Sequence, residues 1–160
     1  MEKTNVMRLL DAASISYTIH YYDKNVTDGV SVAHLCEENE DQVFKTLVTI
    51  GNDKNHYVFC IPVNSTLDLK KGAKVIGIKN IEMIPQKELL PLTGYVHGGC
   101  SPIGMKKPFK TVINDTALLF DYICVSGGKV GYQIKINSEE LCKYVKGSFA
   151  DVIKWKISTW

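Results

Sequence analysis

The sequence predicts a single α+β domain built on a mainly antiparallel or mixed β-sheet. Its 160 residues suit one hydrophobic core. Amphipathic segments and β-rich runs are interspersed without the regular βαβ alternation of a nucleotide-binding fold, and neither a Walker loop nor G-x-G-x-x-G is present. No repeat, low-complexity stretch or long linker divides the chain. We therefore predict one domain over residues 1–160.

The N-terminal half alternates between short helices and β-rich segments. The predicted elements are a helix in "TNVMRLLDAAS", a strand over 16–22, a helix over 31–39 and strands over 43–51 and 56–63. The last two runs are separated by the turn cluster "NDKN", which predicts a β-hairpin.

The rest of the chain, from residue 66 onward, is predicted to contain four short helices and three strands. The helices fall in "TLDLKKGAKVIG", "PQKELLPL", "NSEELCKYVKG" and "SFADVIKW", and the strands over 110–115, 121–127 and 131–136. The third of these helices begins with an Asn-x-x-Glu capping pattern and ends at Gly147. The turn "GGKV" joins the last two strands.

Composition and charge exclude several classes of function. The net charge is +2, and Arg8 is the only arginine beside eighteen lysines, so bidentate arginine contacts to bases or phosphates are nearly absent. We expect no DNA partner, and any phosphate contact must use lysines or backbone amides. No apolar run is long enough to span a bilayer and the N-terminus lacks a signal-peptide pattern, so we expect no membrane contact and a cytoplasmic location.

The five cysteines are widely spaced and form no C-x-x-C pair. This pattern argues against a disulfide framework and against a structural zinc site. Cys60, Cys124 and Cys142 lie in apolar stretches and are expected to be core residues. The four histidines have no metal-ligand spacing either, so no metal and no cofactor is expected.

The stretch "GYVHGGCSPIGMKK", residues 94–107, contains four of the twelve glycines. Such a loop lets the backbone approach a ligand closely. Cys100 is the obvious nucleophile candidate, with His97 as a base close in sequence, although a reactive cysteine needs a lowered pKa. We favour the alternative, in which Cys100 is a small loop residue.

Lys45 places one charge inside the β-rich run "QVFKTLV". On a strand it shares a face with Val43 and Leu47, where a buried charge is costly unless it serves a site. Taken alone, the position fits a lysine on a solvent-exposed face slightly better than a buried lysine that serves a site.

Four motifs together resemble one known family. "QVFKTL", "TLDLKKGAKVIG", "GYVHGGCSPIG" and "VSGGKVGYQI" occur in the order seen in the YbaK/EbsC family, which includes the prolyl-tRNA-synthetase-associated editing domain. The resemblance extends from about residue 4 to residue 153. It implies one α+β domain with a bent, mixed, partly barrel-like sheet and surrounding helices. It also implies an enzyme that releases mischarged amino acids from tRNA.

The resemblance also assigns roles to residues. The key lysine of the family falls on Lys45, its G-x-x-x-P loop on residues 98–102, its "SGGK" turn on 126–129, and its pocket aromatic on Tyr22 or Tyr21. The implied catalytic residues are Lys45, Gly98 and Gly99. The implied substrate-binding residues are Tyr22, Phe44, Thr46, Cys100, Ser101, Pro102, Ser126, Gly127 and Gln133.

The reaction implied by the resemblance needs no protein nucleophile. Cysteine esterified to tRNA(Pro) supplies its own thiolate, which attacks its own carbonyl and leaves as a thiolactone. Glycine N–H groups would stabilise the developing oxyanion. Clustered lysines would hold the acceptor stem, although such clusters also suit a solvated surface. The implied RNA-binding lysines are Lys70, Lys71, Lys74, Lys106 and Lys107.

Several alternatives stay open. Gln133 stands in "GYQI" where many relatives carry the acidic residue of "GLDI", so an editor of the same fold directed at alanine, serine or threonine fits as well. A non-catalytic module that binds tRNA or a synthetase, and a hydrolase that uses Cys100, are the other two. With one arginine, tRNA identity would be read by a partner such as prolyl-tRNA synthetase, or not at all.

Overall fold

The computed structural model of the protein describes residues 2–155. The predicted domain 1–160 therefore includes residue 1 and residues 156–160, which lie outside the described part. The α-helices are α1 (Asn5–Ala12), α2 (Gly29–Leu35), α3 (Leu69–Ile76), α4 (Leu89–Thr93) and α5 (Ser138–Tyr144). The strands are β1 (Tyr17–Tyr21), β2 (Phe44–Gly51), β3 (His56–Pro62), β4 (Ile81–Met83), β5 (Lys110–Asn114), β6 (Tyr122–Ser126), β7 (Tyr132–Asn137) and β8 (Ser148–Ala150).

The strands form two sheets. Three antiparallel strands make one sheet in the order β1-β7-β6. Five strands make a mixed sheet in the order β4-β2-β3-β5-β8, in which the last two pairings are parallel. The α+β prediction is confirmed, and β2 and β3 form the predicted hairpin.

The two sheets meet where a parallel bridge joins Val43 to Cys124. Val43 immediately precedes β2, and its carbonyl also accepts a hydrogen bond from the Val63 N–H at 2.8 Å. The two sheets therefore adjoin two residues before Lys45 in the chain. We call this junction the seam.

Local sequence explains why the helices begin where they do. Thr4, Asp28, Asp68 and Asn137 each accept a hydrogen bond from a backbone N–H in the first turn of the following helix, as N-cap residues do. The side chain of Asn137 bonds the Glu140 N–H at 2.9 Å, so the Asn-x-x-Glu pattern marks a true helix start. Apolar side chains on α1, including Val6 and Leu10, pack into the main core with the two sheets.

Two predictions of secondary structure differ from the structure. The segment "SFADVIKW" is not helical, because residues 148–150 pair with β5 as the parallel edge strand β8 and Ile153 bridges to Leu67. The three-residue strand β4 was not predicted; it pairs with the end of β2. No helix within residues 2–155 has the length and apolar character to cross a membrane.

Candidate active site

A cavity of about 340 Å³ opens at the seam between the two sheets. Its wall is built from β2, the segment leading into α2, the glycine loop that follows α4, and the facing ends of β6 and β7. Eight of the residues predicted for the site line it: Tyr22, Phe44, Lys45, Thr46, Gly98, Cys100, Ser126 and Gln133. Residues that are 111 positions apart in the sequence therefore share one cavity.

Lys45 is half-buried on β2, where it pairs with Ile61 of β3. Burial lowers the pKa of its ammonium, and the nearby carboxylate of Asp28 opposes that shift. No hydrogen bond or ion pair holds the ammonium within residues 2–155. The strand thus presents a cation to the cavity that the surrounding protein leaves without a direct partner.

Asp28 contributes a carboxylate on the same wall. Its side chain caps α2 by accepting hydrogen bonds from the Ser31 N–H at 3.1 Å and the Ser31 hydroxyl at 2.9 Å. The hydroxyl bond is the largest cause of the lowered pKa of Asp28. The carboxylate is therefore ionised at neutral pH and favours the charged form of Lys45.

Gln133 lies on β7 between His20 of β1 and Ser126 of β6. Its side chain is almost fully buried, with 4% of the residue exposed. The Oε1 atom is the one buried side-chain polar atom in the described chain that has no hydrogen-bond partner. An unpaired buried acceptor is costly, so a donor on a bound ligand would stabilise this site.

The glycine loop rests against the turn between β6 and β7. Gly98 has φ +87°, a left-handed conformation that side chains disfavour. A Cβ on Gly99 would lie 3.0 Å from the Val130 nitrogen, so only glycine allows this approach. The Gly99 N–H already donates to the Val96 carbonyl at 3.0 Å. Gly99 is therefore a structural glycine, whereas the Gly98 N–H has no acceptor within the described chain.

Cys100 faces the cavity but is poorly suited to be a nucleophile. It is 9% exposed, and burial raises the pKa of its thiol to about 12, against a weaker opposing hydrogen bond from Thr93. His97 also lines the cavity, yet no hydrogen bond joins it to the thiol. A thiol held protonated in this way behaves as a small core residue.

Four residues predicted for the site do not line the cavity: Gly99, Ser101, Pro102 and Gly127. The Ser101 hydroxyl is buried and accepts a hydrogen bond from the Ile103 N–H at 3.3 Å. Gly127 donates to the Tyr132 carbonyl at 2.8 Å and accepts from the Thr4 hydroxyl at 2.6 Å. Pro102 lines a second cavity instead. These residues stabilise the loop and the turn without lining the first cavity.

The structure also distinguishes the two tyrosine candidates. Tyr22 lines the cavity, and burial raises the pKa of its phenol. Tyr21 lies outside the lining, is 45% exposed and packs edge-on against Tyr132 with ring centroids 5.1 Å apart. Of the two candidates, Tyr22 is therefore the one that lines the cavity.

The lysines predicted to bind RNA fall into two groups. Lys70, Lys74 and Lys107 are exposed, and none forms an ion pair within the described residues. Lys71 instead binds the Asp151 carboxylate at 2.9 Å and the Ile153 carbonyl at 2.8 Å, and Lys106 reaches the Pro91 carbonyl at 3.3 Å. The amine of Lys71 is thus committed to the fold, which argues against the phosphate contact predicted for it.

Sequence reasoning missed several residues of the wall. Thr27, Asp28 and Gly29 approach from the start of α2, and Leu89 approaches from α4. Asp28 carried a detectable signal, because an aspartate placed before "GVSVAHL" reads as a helix N-cap. No cluster of three His, Cys, Asp or Glu side chains that could hold a metal ion occurs within the described residues.

Taken together, the arrangement suits an uncharged carbonyl substrate that develops negative charge. The residues that line the cavity include one cation, a glycine whose N–H has no acceptor within the described chain, and an amide with an unpaired oxygen, and the cysteine among them is held as the neutral thiol. Such a site can orient a ligand and stabilise an oxyanion. It does not present a protein nucleophile paired with a base.

Comparison with known proteins assigns the chain to a family. Residues 23–144 match the aminoacyl-tRNA editing domain. The chain is also 40% identical over 153 residues to EbsC of Enterococcus faecalis, which is provisionally named a Cys-tRNA(Pro)/Cys-tRNA(Cys) deacylase. The match covers 94% of this chain and 93% of that protein. The protein belongs to the aminoacyl-tRNA editing domain family.

Solved structures share the fold at lower sequence identity. A crystal structure of a hypothetical protein superposes with a TM-score of 0.87 at 21% identity, covering 94% of this chain and all of that one. A protein provisionally described as a trans-editing enzyme for prolyl tRNA synthetase superposes with a TM-score of 0.83 at 19% identity, covering 97% of this chain and all of that one. These two likenesses support the fold.

Proposed function

We propose that the protein removes cysteine from mischarged tRNA(Pro) and that the substrate's own thiol carries out the attack. The observation that carries the proposal is the state of Cys100. The cavity's one cysteine has a pKa raised to about 12, so the protein offers no activated thiol where the ester would bind. Cysteine on the tRNA has an ordinary thiol pKa of about 8.5 and is therefore the better nucleophile.

The step balances without a co-reactant. The substrate thiol loses its proton, and the sulfur forms a bond to the carbonyl carbon of the same aminoacyl group. The bond between that carbon and the ribose oxygen breaks, the ribose oxygen takes up a proton, and cysteine leaves as a cyclic thioester. The enzyme contributes by folding the substrate into the attack geometry and by stabilising charge.

Three groups of the cavity have roles in this step. The ammonium of Lys45 stabilises negative charge on the ester oxygens, and the N–H of Gly98, which has no acceptor within the described chain, is the backbone donor assigned to the same role. The unpaired oxygen of Gln133 accepts a hydrogen bond from the aminoacyl group, whose ammonium and thiol are both donors. Tyr22 lines the wall beside them.

A same-fold editor that acts on alanine, serine or threonine is the second candidate. Gln133 favours it, because an amide oxygen is neutral, gains less than a carboxylate from a cationic donor, and can accept a hydrogen bond from a hydroxyl. Such an editor would need an activated water, and no carboxylate or histidine of the cavity is paired for that task within the described residues. The cysteinyl substrate is therefore the better match.

The test compares esters that differ only in the thiol. Cys-tRNA(Pro) and 2-aminobutyryl-tRNA(Pro) have side chains of closely similar size, and only the first has a nucleophile. We expect fast loss of the cysteinyl ester alone, and loss of that activity in Lys45→Met but not in the surface control Lys79→Met. Equal hydrolysis of both esters, or of Ala-tRNA(Pro), would contradict thiol assistance.

The natural partners follow from this proposal. The substrate is the aminoacylated acceptor end of tRNA, which places the enzyme in the cytoplasm. With Arg8 as its one arginine, the protein reads few bases directly, so prolyl-tRNA synthetase is the partner that would supply tRNA identity. Faster editing in the presence of the synthetase, measured with tRNA(Pro) against tRNA(Cys), would support that partnership.

A further inference from the structure

A second cavity lies on the other part of the glycine loop. It has a volume of about 290 Å³ and is lined from the loop by Pro102 and Gly104 and from the end of α5 by Tyr144 and Lys146. Cys100 lines the first cavity and Pro102 the second, so their Cα atoms are at most about 7 Å apart. The two cavities are therefore separated by the short segment 100–102 of the loop.

Two aromatic side chains form the apolar part of this second cavity. Phe109 and Tyr144 are both half-buried and pack against the main core. The Phe109 ring is further held by an edge-on contact with His56, with centroids 5.9 Å apart. Rings that are held in place in this way offer stacking surfaces at little cost in side-chain entropy.

The charge of the cavity is entirely positive. Lys107 and Lys146 line it, no carboxylate does, and neither lysine forms an ion pair within residues 2–155. Lys146 occupies the left-handed position after α5 with φ 53°, where glycine is the usual residue. Its N–H bonds the Lys143 carbonyl and the next N–H, of Gly147, bonds the Cys142 carbonyl, so the lysine is anchored at the rim.

Aromatic surfaces beside unpaired lysines are complementary to a nucleotide. A base has a π-face for the rings, and its phosphate has the charge for the lysines. The cavity is at the small end of ligand pockets, which fits one nucleotide. Phosphate binding by lysine rather than arginine also agrees with the composition of the chain.

We propose that this second cavity binds one nucleotide of the unpaired 3′ end of the tRNA, upstream of the aminoacylated adenosine. The inference rests on the proposed function, which puts the terminal ester in the first cavity. The base lies against Phe109 and Tyr144, and its phosphate lies at Lys107 and Lys146. The loop between the cavities then fixes the distance between the ester and the strand that carries it.

Titration of the whole protein with the oligoribonucleotide 5′-ACCA-3′ tests this proposal without catalysis. Binding is followed by amide chemical shifts over residues 102–111 and 143–147. The variant Lys107→Ala/Lys146→Ala should bind about tenfold more weakly. Its salt slope should be smaller by about 0.7, since one phosphate contact on a single strand contributes about 0.7. The matched control Lys79→Ala/Lys154→Ala changes the same charge on other surfaces and should bind as the wild type does.

Stacking is tested separately with Tyr144→Leu, which should weaken binding at least about fivefold at every salt concentration without changing the slope. In deacylation of Cys-tRNA(Pro), the double lysine variant should raise KM and leave kcat unchanged. The proposal would be overturned if the two double lysine variants bound the oligonucleotide equally well. It would also be overturned if the chemical-shift changes were confined to other residues. Lysine-dependent binding without any deacylation would instead overturn the proposed function and leave this cavity assignment intact.

Discussion

Two half-buried lysines, Lys45 at the cavity and Lys71 on α3, differ in what surrounds their amines. The amine of Lys71 binds a carboxylate at 2.9 Å and a backbone carbonyl at 2.8 Å, which satisfies most of its donors. The amine of Lys45 has no such partner within residues 2–155, and burial lowers its pKa. One lysine is used by the fold, and the other is left for a ligand at some expense of stability.

Replacing Lys45 should give the largest effect on activity. Lys45→Met removes the cation that stabilises the ester oxygens, so we expect kcat/KM for Cys-tRNA(Pro) to fall by at least about 100-fold. The same variant should unfold at no lower urea concentration than the wild type, because it removes a partly desolvated charge. A parallel loss of stability would show that Lys45 is structural, as Lys71 is.

Gln133→Met should have the next largest effect, and it should separate activity from stability. The substitution replaces a buried amide, whose oxygen is unpaired, with an apolar chain of similar length. We expect the free energy of unfolding to rise by about 1 kcal/mol and kcat/KM to fall about tenfold. Denaturant unfolding and deacylation kinetics on one preparation measure both. Lower stability in this variant would mean that the amide has a partner in the protein.

The pH profile of deacylation should have two limbs. The rate rises as the substrate thiol ionises near about 8.5 and falls again as Lys45 loses its proton, below its ordinary pKa of 10.5. The lowered pKa of Lys45 also means that stability relative to Lys45→Met increases as pH rises through that pKa. Single-turnover rates between pH 6 and 10 check the profile. A falling limb that persists in Lys45→Met would assign it to another group.

Lys71→Met should show the reverse of the effect at Lys45. The loss of bonds to Asp151 and Ile153 should reduce the free energy of unfolding by about 1 kcal/mol, a modest value because both charged side chains are partly exposed. We expect kcat/KM and KM to stay within about twofold of the wild type. A raised KM with unchanged stability in this variant would instead support the predicted contact between Lys71 and RNA.

Cys100→Ala should have the smallest effect on chemistry. Because burial holds the Cys100 thiol protonated, its removal should change kcat by less than about twofold. Iodoacetamide should likewise leave activity intact in the native protein. A covalent adduct between Cys100 and the cysteinyl or alanyl group, detected by mass spectrometry of the quenched reaction, would revive the nucleophile hypothesis.

The contrast between the two lysines also shows what sequence can and cannot reveal. Lys45 was assigned to the site by the resemblance of its motif "QVFKTL" to a known family, whereas the position alone fits an exposed lysine slightly better. The partners of Lys71 lie 80 and 82 residues further along the chain, so the local sequence does not predict them. Its place in a lysine cluster pointed to RNA, and only folding shows that the amine is already occupied.

The same reason explains the errors in the fold. The segment "SFADVIKW" has no turn signal of its own, and residues 148–150 become a strand only because β5 offers a parallel edge more than thirty residues away. The helix "NSEELCKYVKG" was predicted correctly because its cap lies within four residues of its start. Gly99 was placed in the site by its motif, but its N–H is used inside the loop.

The seam at Val43 and Cys124 has a consequence for how such a domain can change over time. Lys45 belongs to one sheet and Gln133 to the other, and a single bridge joins the two sheets at that point. Buried side chains from both sheets share one hydrophobic core beneath this point, and Phe44 and Cys100 of that core also line the cavity. Substitutions of core residues beneath the seam can therefore change which amino acid fits, while Lys45 and Gln133 stay in place. New specificity therefore need not begin with the residues that touch the substrate.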